Sequence, residues 1–114
     1  MAKSNVPNSL ERRHLIEREL PAARALAIAE AYLEAGRCEE AVVFLGKAGA
    51  EDRLDLLARE AVEAGDAFLL SEISRVRRRE PDPQTWQQLA ESARRAGKEG
   101  YAETAERQAQ RSGE

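Results

Sequence analysis

Apolar residues recur along this chain at intervals of three and four, first as Ala25, Ile28, Ala29, Tyr32 and Leu33, then as Leu54, Leu57, Ala58, Ala61 and Val62. That spacing returns side chains to one face of a helix, and no segment shows the strict alternation of a half-buried strand. The pattern is interrupted by three similar tripeptides, Ala35-Gly36-Arg37, Ala64-Gly65-Asp66 and Ala96-Gly97-Lys98. Glycine enters the left-handed conformation in which helices commonly end, so each tripeptide closes one helix and opens the next. The three glycines lie 29 and 32 residues apart, a period at which helical-hairpin repeats occur.

Local chemistry sharpens the remaining boundaries. Asn8 followed by Glu11 has the spacing of a capping box, ahead of a short helix carrying Leu10, Leu15, Ile16 and Leu20. Pro21 then suits a helix start, with the chain either broken or kinked there. Gly49 interrupts the second helix of the first hairpin, and Glu51 and Asp52 place negative charge on the following N-terminus. Asp66 can cap the helix after Gly65, while in Pro81-Asp82-Pro83 the aspartate can cap and Pro83 is pre-set for the first helical position. Helices are therefore predicted over residues 9–20, 21–35, 38–48, 51–64, 66–79, 83–96 and 99–111. The expected organisation is a tail and capping helix over 1–20, a domain of three helix-turn-helix hairpins over 21–111 and a disordered tail over 112–114.

Composition supports an all-α chain. Of the 114 residues 42% are hydrophobic, many of them alanine, and only 4% are aromatic. Alanine is the best helix former and lets helix backbones approach closely. The net charge of −3 is unevenly spread: residues 1–20 carry +1, 21–66 carry −5 and 67–114 carry +1. No segment has the net basic balance of a nucleic-acid footprint, which disfavours that class of partner. Met1 to Leu10 has no apolar segment of a secretory signal, and the longest apolar runs, such as Ala41 to Leu45, are too short to span a bilayer. Cys38 is the single cysteine and cannot form an internal disulfide, so the expected setting is the reducing cytoplasm, without membrane association.

The hairpins carry a family pattern. The first reads Ala25-x₂-Ile28-Ala29-x₂-Tyr32 followed by Ala41-x₃-Leu45, with Gly36-Arg37-Cys38-Glu39-Glu40-Ala41 at the turn and second-helix start. The third reads Trp86-x₂-Leu89-Ala90-x₂-Ala93 followed by Ala102. This resembles the tetratricopeptide repeat, W-x₂-L-G-x₂-Y, then A-x₃-F, then P. Departures are the missing first tryptophan, Leu70 and Ser74 in the middle hairpin, and Glu106 where a bulky apolar residue belongs, which predicts a loosely packed last helix. Other α-solenoids, including coat-protein-like arrays, share the hairpin pattern. The resemblance implies a right-handed superhelical stack of three hairpins behind a short N-terminal helix, each hairpin completing its core against the next.

The resemblance also implies a concave groove lined by the first helix of each hairpin. On that basis the partner-binding residues are Leu26, Glu30, Leu33 and Glu34, then Asp55, Arg59, Val62 and Glu63, then Gln87, Glu91, Arg94 and Arg95. Together they describe an acidic, partly apolar trough that becomes basic at one end, although each could equally be an ordinary solvated helix residue. Leu26, Glu30, Leu56, Gln84 and Gln88 stand where relatives that grip a C-terminal carboxylate carry basic or amide residues, which argues against such a clamp. The expected role is a non-catalytic scaffold that binds a peptide or helix of a partner protein. The alternative is a self-associating structural subunit, a homodimer for instance, through the small face of the last helix.

Enzyme, metal and cofactor chemistry find little support. His14 is the only histidine, so neither a thiol–imidazole pair with Cys38 nor a set of three or four metal ligands is suggested. The glycines are isolated stops, with no phosphate-cradling loop, and no small-molecule substrate or cofactor is expected. The densest charge cluster, Arg75-Val76-Arg77-Arg78-Arg79, falls at a predicted helix C-terminus, where cations offset the helix dipole.

Overall fold

A computed structural model describes residues 6–112, and the predicted tail residues 1–5 and 113–114 lie outside them. Among the described residues there are seven α-helices and no strands: α1 (Ser9–Glu17), α2 (Ala22–Glu34), α3 (Cys38–Ala48), α4 (Glu51–Ala64), α5 (Ala67–Arg77), α6 (Pro83–Arg95) and α7 (Glu99–Ser112). The chain divides into two compact units, residues 1–54 and 55–114, with the boundary inside α4.

Five helices end in the same way. The residue after Gly36, Gly49, Gly65, Arg78 or Gly97 donates its N–H to the carbonyl five positions back, as in Arg37 to Tyr32 at 2.9 Å and Asp66 to Ala61 at 2.9 Å. This closure needs a left-handed residue at the turn, and all five have positive φ. Four are glycines. Arg78, with φ of 55°, is the one non-glycine residue of this kind among those described.

In the first unit α2 and α3 pack on one another. Ala25, Ala29 and Ala41 are buried and allow the close approach, while Tyr32, Phe44 and Leu45 fill the space between. The Tyr32 and Phe44 rings stack with centroids 5.8 Å apart. The guanidinium of Arg12 lies 5.0 Å from the Tyr32 centroid and 5.4 Å from that of Phe44, and it donates to the Glu40 carbonyl at 3.0 Å. A cation over ring faces is attracted by their quadrupoles, which fixes α1 on this pair. α1 ends at Glu17 rather than residue 20, with Arg18 already extended, and Pro21 further disfavours helical backbone at Leu20. The chain breaks there, and Pro21 is the residue preceding α2 rather than its first turn.

In the second unit α7 packs on α6 and, less extensively, on α5. Trp86, Leu89, Ala90 and Ala93 of α6 are buried with Leu69, Leu70 and Ile73 of α5. The last helix is not loose. Ala102, Ala105 and Ala109 are all buried, and Glu106, rather than occupying a core position, pairs on the surface with Arg94. Alanines at three- and four-residue spacing give α7 a narrow face that seats without a bulky residue. Ser112, expected in a disordered tail, is its last residue.

The caps divide. Asn8 accepts from the Glu11 N–H at 2.9 Å and Asp66 from the Leu69 N–H at 3.0 Å. Asp82, expected to cap α6, makes no such side-chain bond; its backbone carbonyl receives Thr85 and Trp86 instead, and Pro83 occupies the first turn. α5 begins at Ala67 and ends at Arg77, two residues short of the prediction, where Arg78 turns left-handed.

Candidate functional site

The expected groove residues lie on α2, α4 and α6. In the first unit Leu26, Glu30 and Leu33 are half-buried on α2 and Glu34 is exposed. Glu30 is engaged by Arg53, whose Nη2 donates to Oε1 at 2.8 Å. Leu26 borders a shallow depression of about 340 Å³ closed by residues 49–53.

In the second unit the structure brings Arg59, Val62 and Glu63 of α4 together with Thr85 and Gln88 of α6 and Ala58 of α4 around a cleft of about 380 Å³. Ala58, Val62 and Thr85 contribute methyl groups, and Arg59, Glu63 and Gln88 contribute polar ends. Of the twelve residues expected in the groove, these three from α4 share one surface feature. Gln87, Glu91 and Arg95 are exposed on α6 but do not line the cleft, which takes Thr85 and Gln88 instead.

Two more of the expected residues are held elsewhere. Asp55 accepts from Nη2 of Arg77 at 2.7 Å, a contact directed to α5. That hydrogen bond, with the nearby positive charges of Arg77, Arg79 and Arg59, keeps the Asp55 carboxyl below its ordinary pKa. Arg94 pairs with Glu106 of α7, and the hydrogen bond between them pushes the Glu106 carboxyl down and the Arg94 guanidinium up. The same logic holds in the first unit, where the hydrogen bond from Arg37 lowers the pKa of Glu40.

The cleft contains one carboxylate and one guanidinium, no thiol and no imidazole. His14 is exposed on α1, and Cys38 is half-buried at the start of α3. Among the described residues no group of three or more His, Cys, Asp or Glu is placed to hold a metal ion, and no helix is long and apolar enough to cross a membrane. The small face of α7, considered for self-association, is turned inward within the second unit. What the α4–α6 cleft can do chemically is bury an apolar group between polar ends. Thr85 lies outside the groove set that the repeat pattern implies, and Gln88 is one of the positions aligned with the carboxylate-gripping relatives. Compared with known proteins, the chain matches no protein-family model, and no curated protein or solved structure matches it significantly.

Proposed function

We propose that this protein is a non-catalytic, tetratricopeptide-like interaction module that holds a peptide or helix of a partner protein in the cleft between α4 and α6. One observation carries the reading: the cleft of about 380 Å³ in which Ala58, Val62 and Thr85 form an apolar floor between Arg59, Glu63 and Gln88. An apolar anchor flanked by polar groups that fix orientation is the usual composition of a recognition pocket. Leu56, also on α4, is 48% exposed and adds apolar surface to that helix. The single cysteine supports a reducing, cytoplasmic setting.

The test is selection of binders from a displayed library of helical and extended peptides, followed by competition with site variants. Peptides using the cleft lose at least about tenfold in affinity for Val62→Arg, which fills the apolar floor with a charge. They retain it for Phe68→Ser, a change to an exposed side chain of α5. A library that yields no binder, or binders indifferent to Val62→Arg, overturns the proposal.

A further inference from the structure

The arginine run at the end of α5 does more in space than terminate a helix. Arg75, Arg78 and Arg79 line a cleft of about 450 Å³ together with Arg111 of α7, Trp86 of α6 and Glu80. Four guanidinium groups against one carboxylate make this a strongly positive depression. It lies in a unit whose sequence, residues 55–114, has ten lysines and arginines against twelve acidic residues. The positive charge is therefore local. It arises because α7 brings Arg111 to a cluster more than thirty positions earlier in the chain.

The groups differ in how they are engaged. Arg75 is held by Glu72 through two hydrogen bonds, of 3.1 and 2.7 Å. Arg79 lies 4.0 Å from Asp55. Arg78 and Arg111 make no ion pair among the described residues. Trp86, 1% exposed, has its Nε1–H buried without a hydrogen-bond partner among them. A buried donor left unmade is costly and marks a position where an acceptor would be stabilising. The backbone supplies a further indication. Arg78 occupies the left-handed turn that glycine occupies at the four equivalent helix ends, so this chain accepts a steric penalty to keep a guanidinium on the cleft.

We propose that this cleft binds a phosphoserine or phosphothreonine side chain of a partner protein. A phosphate monoester dianion matches several converging guanidinium groups, and the volume beyond the phosphoryl group suits the adjoining peptide. A nucleic acid fits less well. A polyanion would meet the net negative charge of the whole unit, and the one aromatic residue of the cleft, Trp86, is buried and offers no ring face on which a base could stack. The site is distinct from the α4–α6 cleft, and the proposal does not depend on that reading.

The left-handed turn provides a test in which binding and folding move oppositely. Arg78→Gly removes a charge from the cleft while placing the preferred residue at φ of 55°, so it raises the melting temperature. Arg111→Gln removes a second charge on a different helix. A degenerate phosphothreonine peptide library, its unphosphorylated counterpart, inorganic phosphate and single-stranded RNA are each titrated into the ¹⁵N-labelled full chain. Trp86 is the only tryptophan, so one indole cross-peak reports the cleft. Expected is a shift of that peak by the phosphopeptides alone or far more strongly than by inorganic phosphate, with at least about tenfold weaker binding in both variants. Shifts with inorganic phosphate but none stronger with phosphopeptides overturn the peptide assignment. RNA binding tighter than phosphopeptide binding, no binding by any probe, or phosphopeptide binding unchanged in Arg78→Gly and Arg111→Gln overturns the proposal as a whole.

Discussion

Replacing Gly65 with alanine separates two roles that glycine has at the helix ends of this fold. Every alanine placed in a left-handed turn has its Cβ too near the following carbonyl oxygen, a penalty of about 1–2 kcal/mol. At Gly36 and Gly97 nothing else lies within 4 Å of the added carbon. At Gly65 the same carbon would stand 2.5 Å from both Cα and N of Ala93 and 2.9 Å from its Cβ. Those are main-chain atoms of α6, which cannot rotate away as a side-chain tip would. The turn after α4 and the end of α6 must separate, at a further cost of about 1–3 kcal/mol for overpacking. Gly65→Ala is therefore expected to cost about 2–5 kcal/mol in all, against about 1–2 kcal/mol for Gly97→Ala. Urea titration monitored by Trp86 fluorescence and helical circular dichroism measures both. Ala93→Gly should not rescue Gly65→Ala, since it removes the 2.9 Å contact and leaves the two at 2.5 Å. Equal costs for Gly65→Ala and Gly97→Ala, or full rescue by Ala93→Gly, would refute the backbone-contact argument.

Two other perturbations follow from the same packing. Trp86→Ala should destabilise the second unit by about 3–5 kcal/mol, because the ring is 1% exposed; a urea midpoint by circular dichroism that does not move would place the ring outside the core. Glu40, Asp55 and Glu106 all have pKa values lowered by hydrogen bonds from arginine. A carboxyl depressed on folding adds stability that is complete above its unfolded pKa of about 4 and is lost as pH falls through the folded value. The urea midpoint should thus decline on acidification below about pH 4, and the combined variant Glu40→Gln, Asp55→Asn, Glu106→Gln should decline less steeply. The three groups are exposed, so the contribution is modest, and an unchanged acid limb in the variant would dismiss it.

The helices were legible because their signals are local. A glycine stop acts through its own φ, and Asn8 and Asp66 cap through bonds that span three residues. Signals that depend on neighbours in space were read less well. Leu20 has helical spacing, yet α1 ends at Glu17 with Arg18 extended, and Pro21 disfavours helical backbone at Leu20 itself. Glu106 suggested a poor last helix only because a bulky residue was expected at its position. Ala102, Ala105 and Ala109 supply the contact without one. The three glycines looked equivalent in sequence, and only the approach of Ala93 distinguishes Gly65 from the others.

The same distinction governs the candidate sites. Arg59, Val62 and Glu63 could be grouped in advance because one helical face places them together, whereas the facing residues of α6 depended on a register that no single helix determines. The basic cleft is the stronger case. In sequence, Arg75 to Arg79 has a sufficient explanation as charge compensation at a helix C-terminus. That explanation accounts for positive charge anywhere in the last turn. It does not require an arginine at the left-handed position itself, where Gly36, Gly49, Gly65 and Gly97 stand elsewhere. Nor does it involve Arg111, which reaches the cleft from α7. Helix termination alone predicts that Arg78→Gly is a simple improvement of the fold, whereas a ligand site predicts that the improvement comes with lost binding. The pairing of the two measurements on one variant distinguishes a helix end from a recognition site.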